Sequence, residues 1–176
     1  MEWMLMPLRR YADFSGRSRR MEFWMWQLFK FLLGWAIVIL IMVLFGAAVT
    51  SVGAGGGSEA LAAAGGAIIL LYLFCMILGL AIFIPDLAVT VRRLHDTDRS
   101  GWWILAPLPP YVVFLGIALQ NFDVTQPDRQ PEGVAAVVMF AAIAVMALLG
   151  LALLVFYFLD GTPGPNKYGP DPKGRG

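Results

Sequence analysis

Arg92-Arg93-Leu94-His95-Asp96-Thr97-Asp98-Arg99-Ser100-Gly101-Trp102-Trp103 decides how this chain is read. The stretch sets six ionisable side chains in eight residues, in a protein whose residues are 14% charged. Apolar runs that can cross a bilayer lie on either side, at about residues 67–91 and 104–119. So polar a stretch between two such runs reads as the turn of a membrane hairpin. It predicts an integral membrane protein with a polar cluster on one membrane face.

Composition agrees. The hydrophobic fraction is 59%, where soluble chains average roughly 45–50%. A soluble fold of 176 residues could not cover that much apolar side chain, so lipid must be part of its solvent. The length fits a single membrane domain, residues 1–176. A net charge of +1 excludes nucleic-acid binding by bulk electrostatics. The lone Cys75 excludes an intramolecular disulfide and a cysteine zinc site, and reads as a small buried hydrophobe. Arg9 and Arg10 precede Tyr11-Ala12-Asp13-Phe14-Ser15-Gly16-Arg17 and not an apolar core. No cleavable signal is expected, and the first span would serve as its own insertion signal.

Working outward from the centre, four spans are predicted. The first is about residues 31–49, or roughly 28 Å of helix. Its helix is expected to begin near Arg19, with Ser18 as N-cap and Glu22 in the first turn. Phe23, Trp24 and Trp26 form an aromatic belt, and Lys30 snorkels toward headgroups. Residues 50–66, with Gly55-Gly56-Gly57-Ser58, read as a flexible loop. In the second span, 67–91, Pro85 should kink the helix, and Asp86 is costly unless paired or hydrated. A continuous helix puts Asp86 and Arg93 on one face. The third span, 104–119, carries Pro107, Pro109 and Pro110. It reads as a kinked crossing that borrows Trp102 and Trp103, with a re-entrant segment as the alternative. Residues 120–132, with Asp123, Asp128, Arg129 and Glu132, read as a polar loop. The fourth span, 134–159, has no charge, and its Gly150 permits close helix approach. The Pro- and Gly-rich tail from Asp160 reads as a series of turns.

Charge sets the expected topology. Lead, central turn and tail hold eleven Lys and Arg, the other two loops hold one, and Lys30 makes thirteen. The positive-inside rule then puts both termini and the central turn in the cytoplasm. The expected fold is an all-α polytopic membrane protein, a bundle of four transmembrane helices. A cytoplasmic cap is assembled from residues 9–22, 92–101 and 160–176.

Three stretches carry a resemblance: Phe14-Ser15-Gly16-Arg17-Ser18-Arg19-Arg20-Met21-Glu22-Phe23-Trp24, the central Arg92 to Trp103, and Gly164-Pro165-Asn166-Lys167-Tyr168-Gly169-Pro170-Asp171-Pro172. In order and spacing the chain resembles the YhaH-like family of bacterial inner-membrane proteins, the domain of unknown function 805. Met21 stands where that family usually has a second basic residue. The resemblance implies an inner-membrane location and no particular activity.

The chemistry open to the cluster is bounded by what is present. His95, Asp96, Asp98 and Asp171 offer hard ligands, but a single histidine and no His-x-x-x-His spacing argue against a metal site. Ser100 beside His95 and Asp96 lacks a nucleophile elbow, and Ser100 reads as a turn residue or N-cap. No cofactor motif is found and no enzyme activity is expected. Arg17, Arg19, Arg20, Arg92, Arg93 and Arg99 are all arginine, whose planar fork suits phosphate or carboxylate. These arginines either pair with Glu22, Asp86, Asp96, Asp98 and Asp171 to tie the cap together, or bind an anionic lipid headgroup, or both. Asn166, Tyr168 and Asp171 of the tail complete the candidate set. Membrane lipids are the expected partners, with a second copy or another membrane protein also open. The competing reading is a small transporter or channel subunit working through Asp86 at a kinked helix.

Overall fold

In hydrocarbon no water can satisfy backbone N–H and C=O groups, so an uncharged apolar run must hydrogen-bond within itself as a helix. The computed structural model, which describes residues 2–121 and 131–174, follows this rule. Its helices are α1 (Glu2–Arg9), α2 (Arg20–Gly53), α3 (Gly57–Asp96), α4 (Leu108–Asn121) and α5 (Gly133–Phe158), with a short 3-10 helix at Gly101–Leu105. Four segments are long and apolar enough to cross a membrane: Arg20–Gly53, Gly57–Asp96, Gly101–Asn121 and Gly133–Phe158. The chain divides into two compact units. Of the described residues, one unit contains those up to Phe14 and Met21–Val89; the other contains Ser15–Arg20 and those from Thr90 onward.

In the first unit the expected flexible loop at 50–66 is absent. Helix continues from both sides and leaves Ala54 to Gly56 as the whole connection. Alanine is the best helix former, and it dominates residues 60–64. Thr50 and Ser51 are tolerated because their hydroxyls donate to Ala47 O and Ala48 O, at 2.9 and 2.8 Å. Gly56 is required at the turn: a Cβ there would lie 2.8 Å from Ser51 O and 2.7 Å from Ala60 Cβ. In the lead, Trp3 to Leu8 lie in α1.

Pro85 lies inside α3 without ending it, and is buried. The expected partner of headgroups, Lys30, instead reaches Asp86. Trp26 Nε1 donates to the same Asp86 Oδ1 at 2.9 Å. A carboxylate at this depth holds a cation more strongly than bulk headgroups do, because little water screens the pair. Beside the pair runs a groove of about 340 Å³, walled by Leu33, Gly34, Cys75 and Gly79 among others. Cys75 was expected to be buried and is half-buried on this wall.

In the second unit α3 ends in a left-handed turn. Asp98 has φ 58°, Asp98 N donates to His95 O at 3.1 Å, and Arg99 N donates to Leu94 O at 3.0 Å. These are the two bonds of a Schellman motif. Ser100 then accepts from Trp102 N and caps the 3-10 helix. Gly101 permits the return, for a Cβ there would sit 2.7 Å from Val91 Cγ1. The 3-10 helix and α4 together extend roughly 30 Å, enough for a bilayer core. α4 packs against α5. The expected polar loop at 120–132 begins as the last turns of α4, to Asn121; its Asp123, Asp128 and Arg129 lie outside the described residues.

Ser18 does not cap α2. The helix starts at Arg20, and the Ser18 hydroxyl is buried with no hydrogen-bond partner among the described residues. Its backbone N–H is spent on Arg92 O at 3.1 Å, which fixes it away from the helix end.

Candidate functional site

The last turn of a helix leaves carbonyls without partners, and they carry the negative end of its dipole. Both α3 and α5 end in the second unit, and the candidate residues gather on those two ends. α5 has no basic residue in its own last turn. Arg93 supplies one from α3: its Nε donates to Tyr157 O at 3.3 Å, and its Nη2 donates to Leu159 O. Arg20 Nη1 donates to Phe158 O at 3.2 Å. Three successive carbonyls at the end of α5 are thereby closed by arginine.

The end of α3 is closed by the tail. Asp96 O accepts from Thr162 N at 2.9 Å, and His95 O accepts from Asn166 Nδ2 at 3.0 Å. Thr97 Oγ1 donates to Leu94 O at 3.0 Å. The tail comes this near because Gly161 has no side chain: a Cβ there would fall 2.5 Å from Asp96 Cγ.

Asp96 joins the two halves. It is 2% exposed. Its Oδ1 accepts from Arg17 Nε at 2.9 Å and its Oδ2 from Arg93 Nη1 at 2.6 Å. Arg17 is carried here by the Ser15-Gly16 bend, where Gly16 has φ 76°. Arg17 also donates to Gly164 O at 2.7 Å and Thr162 O at 2.6 Å, and Asp171 lies 4.0 Å away. Burying two guanidiniums is tolerable because carboxylates and carbonyls surround them. Burial lowers the Arg93 pKa, and Asp96 opposes that shift.

His95 lies beyond the apolar stretch of α3. Its ring stacks on Tyr168, with centroids 3.8 Å apart and planes 4° from parallel. Nδ1 is 3.3 Å from Gly16 O, so that nitrogen carries the proton. Burial lowers the His95 pKa; the Gly16 carbonyl opposes this and nearby Lys167 adds to it. Tyr168 is set by a turn in which Asn166 Oδ1 accepts from Tyr168 N at 2.9 Å.

Of the residues singled out by sequence, Arg17, Arg20, Arg93, His95, Asp96, Asn166, Tyr168 and Asp171 meet in this one assembly. Arg92 is fully buried and its carbonyl receives Ser18 N. Arg19 donates to Pro172 O. Three others are placed differently. Asp86 belongs to the first unit, with Lys30 and Trp26. Asp98 faces Lys167 at an exposed 3.8 Å. Arg99 lies over the Phe156 ring, 3.9 Å from its centroid, and donates to Thr97 O. Gly161, Thr162 and Asp160 were not anticipated. Asp160 lies 3.1 Å from Arg20 and also pairs with Lys173. Its position just past the fourth span was the available signal. Among the described residues no group of three His, Cys, Asp or Glu side chains could hold a metal ion.

Over residues 11–170 the chain matches the family described as "Protein of unknown function (DUF805)". It is 32% identical over 173 residues to "Inner membrane protein YhaI" of Escherichia coli strain K12, covering 98% of this chain and 97% of that protein. It is 31% identical over 173 residues to "Inner membrane protein YhaH" of the same strain, covering 98% of each. A shorter likeness, 35% over 98 residues, links it to "Uncharacterized protein YiiR" of that strain, covering 56% of this chain and 58% of that protein. No solved structure matches the chain.

Proposed function

We propose a non-enzymatic role in membrane organisation for this chain, which belongs to the DUF805 family and is a multi-pass protein of the bacterial inner membrane. In this reading the four spans form a bundle with both termini cytoplasmic. The arginine–carboxylate cap locks lead, central turn and tail together. Its outer cations, Arg19, Arg20, Arg99 and Lys167, engage anionic headgroups or an acidic partner surface.

The observation that carries the reading is Asp96 held between Arg17 and Arg93, while Arg93 closes the end of α5. These donors are engaged by the protein's own groups, which favours a structural role for the inner arginines and leaves headgroups to the rim. Sidedness is supported by the meeting of the lead's Arg17 with the tail's Thr162 and Gly164. A non-catalytic role is supported by His95 and Ser100, each committed to a local contact: stacking and Gly16 O for one, Trp102 N for the other.

The test separates the two layers. In detergent, Arg17→Gln should lower Tm, while Lys167→Gln, at an exposed pair, should leave Tm near that of the parent and reduce co-purified phosphatidylglycerol and cardiolipin. Unchanged lipid content removes the headgroup role, and an unchanged Tm for Arg17→Gln removes the cap. A second reading, a transporter or channel subunit, draws on the Lys30–Asp86 pair beside the groove. It requires Asp86→Asn to abolish a proton or cation flux in liposomes while the fold survives.

A further inference from the structure

α1 has two unlike sides. Pro7 is buried, which seats the helix on the protein. Leu5 and Leu8, three residues apart and so on one face, are 43% and 40% exposed. Tyr11 and Phe14, just past the helix, are also exposed. Glu2 and Arg9 stand at the two ends, both exposed. Arg10 is already neutralised by Asp13, at 2.9 and 2.7 Å, leaving Arg9 as the outward cation at the end of the helix.

We infer that α1 lies in the plane of the membrane, with Leu5 and Leu8 in the boundary between headgroups and acyl chains of a phospholipid leaflet. The occupant of this face is the bilayer that α2 crosses. α2 begins only eleven residues beyond Arg9 and is one of the segments long and apolar enough to cross the membrane, so the short connection keeps α1 close to the leaflet that α2 enters. A short helix with leucines on one side and a charged residue at each end partitions to that boundary, because the leucines leave water while the charges stay in it. Tyr11 is the residue type found at headgroup depth. This attachment is separate from the polar cap and concerns other residues.

The experiment uses the full chain in vesicles of phosphatidylethanolamine and phosphatidylglycerol. With Cys75→Ala as background, nitroxide labels are placed one at a time through Glu2→Cys, Leu5→Cys, Leu8→Cys and Arg9→Cys. Power saturation then compares relaxation by oxygen with relaxation by a nickel chelate. Labels at 5 and 8 should favour oxygen over the chelate by about threefold or more relative to labels at 2 and 9. Equal chelate access at all four positions would overturn the inference, placing α1 in water. Shielding of 5 and 8 from both reagents would also overturn it, since a protein partner or second copy would then cover the face. As a further check, the double change Leu5→Asp with Leu8→Asp should leave Tm in detergent unchanged. A clear fall would mean these leucines pack on protein, which likewise overturns it.

Discussion

Arg17 and Asp96, 79 positions apart in sequence, meet at 2.9 Å with 1% and 2% of their side chains exposed. Removing one member of a buried pair leaves the other charge without compensation, which costs about 3–5 kcal/mol. Asp96→Asn or Arg17→Gln should therefore destabilise by that order, read as a large fall in detergent Tm. The double substitution should cost less than the sum of the two, with a coupling of about 0.5–3 kcal/mol. Strict additivity in the cycle would show that the two charges do not support each other.

Gly161 tests the docking of the tail. Gly161→Ala puts a methyl against the Asp96 carboxylate, where the two cannot coexist without movement. Overpacking of this kind costs about 1–3 kcal/mol. Limited proteolysis should cut the variant near Lys167 or Lys173 far sooner than the parent. Equal cleavage rates would place the tail elsewhere.

His95 gives stability a pH dependence with a definite sign. Its folded pKa is lowered by burial, so the folded state binds fewer protons than the unfolded one. The contribution of neutral His95 is full above its ordinary value of about 6.5, declines as pH falls below that, and levels off beneath the lowered folded value. Tm in detergent should drop between about pH 7 and pH 5, less so in His95→Gln. Lys167→Gln should shrink the drop, since that cation contributes to the shift. A pH response identical in His95→Gln would assign the effect to other groups.

Asp98 sits at φ 58° in the turn that ends α3. The left-handed region costs a non-glycine residue about 1–2 kcal/mol, whereas its exposed pair with Lys167, at 3.8 Å, is of a kind worth about 0–1 kcal/mol. The backbone term is the larger. Asp98→Gly should leave stability unchanged or raise it by up to about 1 kcal/mol, and Asp98→Val should lower it. A clear loss with glycine would assign the Asp98 carboxylate a role that its exposure does not suggest.

Some of this was legible before any coordinates. The four long apolar stretches could only be helices, because lipid offers the backbone no other partner. Glu22 in the first turn of α2 and Ser100 as a cap follow from which side chains suit helix starts. The turns of the tail follow from its glycines and prolines. The glycines of residues 50–66 suggest a loop, yet alanine carries helix through most of the stretch, and four glycines near residue 55 need only a three-residue turn. The Ser18 cap failed because a single backbone bond to Arg92 O outranked a local preference.

Composition therefore determined by itself that this is a membrane protein with four helices able to span, and a polar cluster between two of them, since solvation energies act on each residue wherever the chain later folds. Tertiary structure alone decided who pairs with whom. Nothing local distinguishes Asp96 from Asp98, yet one is the buried hub of two arginines and the other a rim residue. Nothing local sends Arg99 to Phe156 or Lys30 to Asp86. Those partners depend on which helix ends meet and how closely Gly161 lets the tail approach, and contacts between positions so far apart are set by packing.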